Sequence, residues 1–403
     1  MKKHIVCIAS EFKGNDFYEE CADAGWRVTL VTREKLLDSA WAWTSLSEVK
    51  TVRDNAGAED YARAVTNVAG TLPVDRVVGI DEFDVLTAAK AREHLQIEGI
   101  SASYALRFRD KLRMRNMAAQ NGLPCPEFTG AFRPDLTNEF LTRVPAPWII
   151  KPRTEVNAFG IRKCRTKDEI WNFLNELDAR NTWRDHPSQF LIERFVEGAV
   201  FHVDSVVSNG KVVACGISRY GATPMNVSHK GGVFTTSILP HKSKERKQLE
   251  RLNKQLLKAF KYERGVAHAE FLQSSDTGKL YLLEVAARVG GAYIADVLEQ
   301  ASDFNLWREW AKLETATKEN PYQPPKIRTD YAGIALCLAN EEKPDTSHYT
   351  DTEIVYRVSK SKHVGLIFHS QDHKRIGELL EIYAERMTND FLAVAPTKER
   401  YDD

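Results

Sequence analysis

Glu270 and Glu284 lie in the segment His268–Arg288, where two apolar runs flank a turn of Ser, Asp, Thr and Gly. That pattern reads as a β-hairpin. With the turn centred near Thr277, the two glutamates face each other across it. Like charges directly opposed cost up to about 1 kcal/mol, and apolar neighbours enlarge the repulsion. A divalent cation between the carboxylates reverses the sign. Hard carboxylate oxygens suit Mg²⁺, which keeps positions open for phosphate oxygens. Arg288, four residues past Glu284, would then sit beside a transferring phosphoryl group.

Other residues carry weaker signals. Lys151 interrupts the apolar strand Trp148–Pro152. A buried ammonium needs an anion, either a structural carboxylate or a phosphate. Lys111 follows Asp110 early in a helix and alone reads as a surface lysine. Leu191-Ile-Glu-Arg-Phe-Val-Glu-Gly198 is a strand running into a loop. Its backbone edge and Glu193 can hydrogen-bond the rim of a purine, although a solvated strand end is the simpler reading of these residues alone. His202 and Asp204 share one strand face, as do His268 and Glu270. The first two are a hydrogen-bonded pair or face a ligand. His268 either orients the metal site or is a satisfied core histidine. His229-Lys230-Gly-Gly232 is a closing loop over phosphates or a plain surface loop. Gly290-Gly291 precedes a helix, whose start favours anions, or is a simple junction.

These residues need a large scaffold. At 403 residues the chain has room for two or three domains. Hydrophobic residues at 43% and charged residues at 28% mark a globular chain. Lys plus Arg equals Asp plus Glu, at 56 each, so no global basic field favours nucleic acid. The six cysteines are scattered without Cys-x-x-Cys spacing, which argues against a zinc site and a disulfide framework. No apolar run approaches a membrane span. A cytoplasmic protein with reduced thiols is expected.

Residues 4–100 alternate strands (Ile5–Ala9, Arg27–Thr32, Glu48–Val52, Arg76–Ile80) with helices (Tyr18–Ala24, Glu59–Val68, Val85–Leu95). This predicts a Rossmann-like parallel sheet, although Gly-x-Gly-x-x-Gly is missing after the first strand. One helix is expected from about Ser103 to Asn121, closed by Gly122 and Pro124. Strands are expected at Phe190–Phe195, Val200–Val207 and Lys211–Ile217, the last two joined by an Asn209-Gly210 turn. A long charged helix covers Lys242–Tyr262, and a single helix runs from beyond the Glu270/Glu284 hairpin to about Leu313. After a proline-rich linker at Lys318–Pro325, the tail reads as a small α+β subdomain.

The order of Lys111, Lys151, Glu193-Arg-Phe-Val-Glu-Gly198, Glu270 and Glu284-Val-Ala-Ala-Arg288 resembles the ATP-grasp superfamily. Glu-Val-Ala-Ala-Arg with Gly-Gly, and Phe201-His-Val-Asp204, are most similar to its carboxylate–amine ligases, which include L-amino acid ligases. The resemblance implies a multidomain α/β and α+β fold, an ATP-grasp fold preceded by the Rossmann-like domain. Residues 1–105 would form the Rossmann-like part. Residues 106–322 would form the ATP-grasp domain, with a lid at about 126–190, a hinge at 191–198 and a metal and catalytic part at 199–322. Residues 323–403 would form the C-terminal subdomain.

It also implies roles. Lys111 and Lys151 bind ATP phosphates, with Lys151 near the adenine. Glu193 accepts from the adenine amine, while the Arg194 carbonyl and Val196 amide bond its edge. Glu270 and Glu284 hold one or two Mg²⁺, with Mn²⁺ as the alternative ion. Arg288 stabilises the transferred phosphoryl. Apart from the resemblance, His268 is counted with Arg288 as catalytic, Arg219, His229 and Lys230 are candidates for the carboxylate substrate by their place between the hinge and the metal hairpin, and Gly290 and Gly291 join them at the helix start. Three positions depart from the family pattern. Ala286 stands where many members have Asn. Val200 stands where many have a ribose-binding Glu, leaving His202 as a substitute. The loop Thr154–Gly160 is poor in glycine. The implied activity is an ATP-dependent ligase joining small carboxylates and amines, amino acids among them, through an acyl phosphate. The expected partners are those small molecules, with a homodimer allowed and neither nucleic acid nor membrane. A carboxylating enzyme and a non-catalytic ATP-binding regulator are the alternatives.

Overall fold

The computed structural model describes residues 2–394 and 399–400. The first of three sheets is parallel. It contains β1 (His4–Ala9), β2 (Arg27–Arg33), β3 (Glu48–Val52) and β4 (Arg76–Gly79), in the order β3-β2-β1-β4. Every residue of β1 is buried, because helices cover both faces of the sheet. Ile5 and Cys7 pack with Phe17 and Tyr18 of the helix Asn15–Asp23. Val6 and Ile8 pack with Tyr61 and Val65 of the helix Ala58–Ala69.

The second sheet is antiparallel: β5 (Phe128–Gly130), β6 (Trp148–Pro152), β7 (Arg162–Cys164) and β8 (Phe190–Arg194), in the order β5-β8-β6-β7. The helix Lys167–Ala179 lays Ile170, Phe173, Leu174 and Leu177 on it, with Asp168 and Glu169 in its first turn. Apolar residues at those spacings are one helical face.

The third sheet is the scaffold of the site. Its strands are β9 (Gly198–Ser208), β10 (Lys211–Tyr220), β11 (Phe234–Ile238), β12 (Gly265–Ser274), β13 (Leu280–Ala286), β14 (Tyr331–Leu338), β15 (Ile354–Arg357) and β16 (His363–Ser370). They are antiparallel, in the order β13-β12-β9-β10-β11-β14-β16-β15. Asn209 and Gly210, both left-handed at φ 50° and 70°, make the expected tight turn between β9 and β10. Phe201, Val203 and Val207 of β9 pack against Leu249, Leu252 and Leu256 of the helix Lys244–Ala259. By alternation, His202 and Asp204 point to the other face.

Three expectations change. The helix expected over Ser103–Asn121 is broken: Ala102–Ala105 is a single turn, and a separate helix runs Lys111–Gln120. Asp110 restarts the chain by accepting from the Leu112 and Arg113 amides at 3.0 and 3.3 Å. The helix expected to reach Leu313 is two, Ile294–Ser302 and Leu306–Thr315. Asp303 turns left-handed between them, and Asn305 caps the second. The tail builds no sheet of its own. β14 pairs with β11, so β14, β16 and β15 extend the third sheet. No helix of the described residues is long and apolar enough to cross a membrane.

Candidate active site

A cleft of about 820 Å³ opens between the second and third sheets, within the usual size range of small-molecule sites. On its floor, Glu270 of β12 and Glu284 of β13 are direct register partners, and β13 bulges at Leu283, which has no partner between Glu270 and Phe271. The hairpin expected from the sequence is therefore present with both carboxylates on the cleft. Glu270 Oε1 accepts from the Tyr220 hydroxyl at 2.8 Å and lies 3.4 Å from His268 Nε2. Burial opposes ionisation of Glu270, yet the His268 hydrogen bond and charge outweigh it and hold the carboxyl below its ordinary range. Lys111 Nζ lies 3.0 Å from Glu284 Oε2 and donates to the Glu155 carbonyl at 2.7 Å. Lys111 is buried, not the surface lysine it resembles in isolation.

Two opposed carboxylates with these bonds on one oxygen of each form a hard, oxygen-only donor set. That chemistry fits Mg²⁺. Without an ion, Lys111 on one side and Tyr220 with His268 on the other offset the repulsion.

Beneath Glu270 runs a buried column. Thr236 Oγ1 is 2.8 Å from His202 Nε2, and His202 Nδ1 is 2.6 Å from Asp204 Oδ2. Asp204 Oδ1 is 2.8 Å from His268 Nδ1. Burial disfavours the His268 imidazolium, but Asp204 overrides it and raises the pKa to about 9. His268 thus links Glu270 to the core through Asp204. His202, Asp204 and His268 also place potential metal-ligand atoms within 4.8 Å of one another. Hydrogen bonds among them use those atoms, so the group reads as a structural column. A Cβ on Gly290 would lie 2.8 Å from Asp204 Oδ1 and 3.0 Å from His268 Nδ1. Gly290 therefore seals the column, and only Gly291 lines the cleft.

Two further expectations are corrected. His202 is fully buried with both ring nitrogens engaged, so it does not reach a ribose; Val200 lines the cleft instead. Arg219 is exposed on the opposite face of β10, with its guanidinium 5.8 Å from the Phe201 ring centre. Its neighbour Tyr220 faces the cleft. The register sets Ser218 opposite His202 and Arg219 opposite Phe201, so Tyr220 shares the His202 face, with the two rings 4.7 Å apart. His229 and Lys230 do line the cleft, at the end of the helix Pro224–Lys230. His229 Nε2 is 3.2 Å from the Ala158 carbonyl in the loop after β6.

At one end, Arg288 is held by Glu82, which follows β4. Arg288 Nε and Nη2 donate to Glu82 Oε2 at 3.1 and 2.6 Å. Arg109 Nη1 reaches Glu82 Oε1 at 2.5 Å. Burial opposes the Glu82 carboxylate, but Arg288 and Arg109 hold its pKa well below the usual range. Neither Glu82 nor Arg109 emerges from sequence reasoning. The usable signal was Asp81-Glu-Phe-Asp84 at the C-terminal end of a parallel strand, where such sheets place ligands.

At the other end, Lys151 on β6 and Glu193 on β8 lie 2.7 Å apart, and Arg115 Nε lies 2.5 Å from the other oxygen of Glu193. Burial lowers the Lys151 pKa to about 8 although Glu193 supports its charge. Arg194, Val196, Ile149, Val200 and Leu272 continue the wall. The apolar side chains of Ile149, Val200 and Leu272 thus line the same cleft as the cations Lys111 and Lys151.

Residues 144–296 match the ATP-grasp domain family. This chain carries an ATP-grasp domain. The domain match covers β6 to β13 and so contains Lys151, Glu193, Glu270, Glu284 and Arg288. The ATP-grasp chain is similar to an L-arginine-specific L-amino acid ligase of Bacillus subtilis, at 22% identity over 255 residues. That alignment spans 63% of this chain and 60% of the relative. The fold extends further. An L-amino acid ligase structure from Bacillus licheniformis superposes with TM-score 0.75 and 16% identity, over 98% of each chain. N5-carboxyaminoimidazole synthetase of Staphylococcus aureus, complexed with ADP, gives TM-score 0.72 and 12% identity, over 96% of this chain and 98% of that one.

Proposed function

We propose that this ATP-grasp protein is an ATP-dependent carboxylate–amine ligase acting on amino acids or similar small carboxylates. The observation that carries the reading is the direct opposition of Glu270 and Glu284 in a cleft that also holds Lys111, Lys151 and Arg288. The similarity to the L-arginine-specific L-amino acid ligase of Bacillus subtilis supports amino acids as substrates.

In this reading Lys111 and Lys151 bind the triphosphate, and the apolar wall beside Arg194 and Val196 takes the base. Glu270 and Glu284 would hold Mg²⁺, which neutralises phosphate charge when bound. A substrate carboxylate oxygen attacks the γ-phosphorus, the bond to the β-phosphate oxygen breaks, and ADP leaves. The amine nitrogen then attacks the acyl carbon, the C–O bond to phosphate breaks, and the surplus amine proton is lost to solvent. Arg288, kept in place by Glu82, stabilises the negative charge of the transferring group. His229 and Lys230 approach from the opposite loop. The protein contributes positioning and fixed charge. No side-chain nucleophile is needed, because a deprotonated amine suffices.

The test is isotopic. With the carboxylate substrate labelled with ¹⁸O, one label should appear in the released phosphate. Label in AMP would overturn the acyl-phosphate route, and incorporation of labelled bicarbonate would favour the carboxylating alternative.

A further inference from the structure

Arg115 is the largest fully buried side chain of the described residues, at 0% exposure. A buried guanidinium costs several kcal/mol unless its partners are well placed. Its partners come from two other elements. Nε lies 2.5 Å from Glu193 Oε1 on β8 as an ion pair outside hydrogen-bond alignment, Nη2 donates to the Leu283 carbonyl at 2.7 Å on β13, and Nη1 is buried without a hydrogen-bond partner among the described residues. Leu283 is the residue before Glu284. One side chain on the helix Lys111–Gln120 therefore ties the strand that edges the base site to the strand that carries the metal-site glutamate.

The consequence falls on Glu193. Its carboxylate is 3% exposed, lines the cleft, and is gripped on one oxygen by Arg115 and on the other by Lys151. An ionised carboxylate is acceptor-only and has about four lone-pair sites. Two ion-pair contacts leave capacity for a further donor. An exocyclic amine at purine position 6 satisfies it, whereas a 6-oxo group sets oxygen against oxygen. Lys151 alone holds one oxygen through an ammonium without a preferred direction, so the carboxylate can still pivot about that contact. Arg115 removes that freedom.

Resting on the ATP-binding reading above, we propose that Arg115 is a positioning residue for base selection. It locks the Glu193 carboxylate so that the cleft takes 6-amino purine nucleotides and rejects 6-oxo ones. A purely structural ion pair would contribute to stability and leave base preference untouched.

The experiment is titration calorimetry of ATP and inosine triphosphate, both with Mg²⁺, on the full chain, with thermal melts in parallel. The wild-type protein should prefer ATP by about tenfold or more. Arg115→Met should cut that ratio about tenfold, and Arg115→Lys should restore part of it. Arg115→Met in a Glu193→Gln background should change the ratio no further. Should Arg115→Met not fold, Arg115→Lys carries the test, with a reduced ratio expected. A lowered Tm with an unchanged ratio in the folded variant would overturn the proposal. Wild-type protein that binds ATP and inosine triphosphate equally would also overturn it while sparing the ligase reading. Wild-type protein that binds neither would overturn both.

Discussion

Glu270 and Glu284 stand directly opposite each other across β12 and β13, each with one oxygen engaged by neighbouring groups: Tyr220 and His268 on Glu270, Lys111 on Glu284. These neighbours offset the repulsion between the two carboxylates. The third sheet is built to hold the pair. β9 supplies the column beneath Glu270, β10 supplies Tyr220, and the loop after β13 supplies Arg288 and the glycine that closes over the column.

Gly290→Ala should damage the site without touching substrate. The added methyl would lie within 3.0 Å of Asp204 and His268. Overpacking of this kind costs about 1–3 kcal/mol. A lower urea midpoint together with lost turnover is expected. Wild-type stability and turnover would show that the column has room to shift.

Glu82→Gln should destabilise more. Glu82 is buried and neutralises both Arg109 and Arg288. Removing its charge leaves the buried Arg109 and the half-buried Arg288 short of an anion, at about 3 kcal/mol. Denaturant unfolding measures this. Turnover should fall as Arg288 loses its fixed orientation, and ATP affinity should change less.

Asp84 sets a pH dependence away from the cleft. Burial, then the neighbouring Asp81, raises its pKa to about 7, against the backbone hydrogen bonds from Ser10 and Asp81. The unfolded carboxyl ionises near its ordinary value of 3.8. Between those values the unfolded state releases a proton that the folded state keeps. This contribution to stability is fully present below pH 3.8 and is lost as pH rises through about 7. Asp84→Asn keeps an oxygen for both amides and does not titrate. Its Tm advantage over the wild type should be larger at pH 8 than at pH 5. An equal difference at both pH values would contradict the assignment.

The second sheet and its helix should move as a lid. His229 links the loop after β6 to the helix Pro224–Lys230 across the cleft. Limited proteolysis within residues 126–190, where Trp183 is 74% exposed, should slow with Mg-ATP. Cutting at an unchanged rate would mean that this sheet does not close over nucleotide.

Much of the scaffold was legible because its signals are local. Asn209-Gly210 announces a tight turn by its backbone preference, and alternation around Thr277 placed Glu270 opposite Glu284 correctly. Lys151 was conspicuous as a charge inside an apolar strand. The misses are questions of phase and of distance. Arg219 and Tyr220 differ by one position, and one position in a strand exchanges cleft for surface. His202 and Asp204 showed their shared face, but not that the face was closed by Thr236 and His268. Arg115 meets Glu193, 78 residues away, and Glu82 meets Arg109 and Arg288, 27 and 206 residues away. Nothing in its own segment sets Arg115 apart from solvated helix charges, and Glu82 is marked only by its place after a parallel strand.

The central claim is that the opposed glutamates serve ATP-driven ligation. Its most direct test is Mg-ATP turnover against pooled amino acids and small carboxylates, reading ADP, AMP and phosphate, with Glu284→Gln as control. The account predicts ADP and phosphate only with particular pools, and a drop of at least about a hundredfold in Glu284→Gln. AMP as the product, or turnover undiminished in Glu284→Gln, would contradict it.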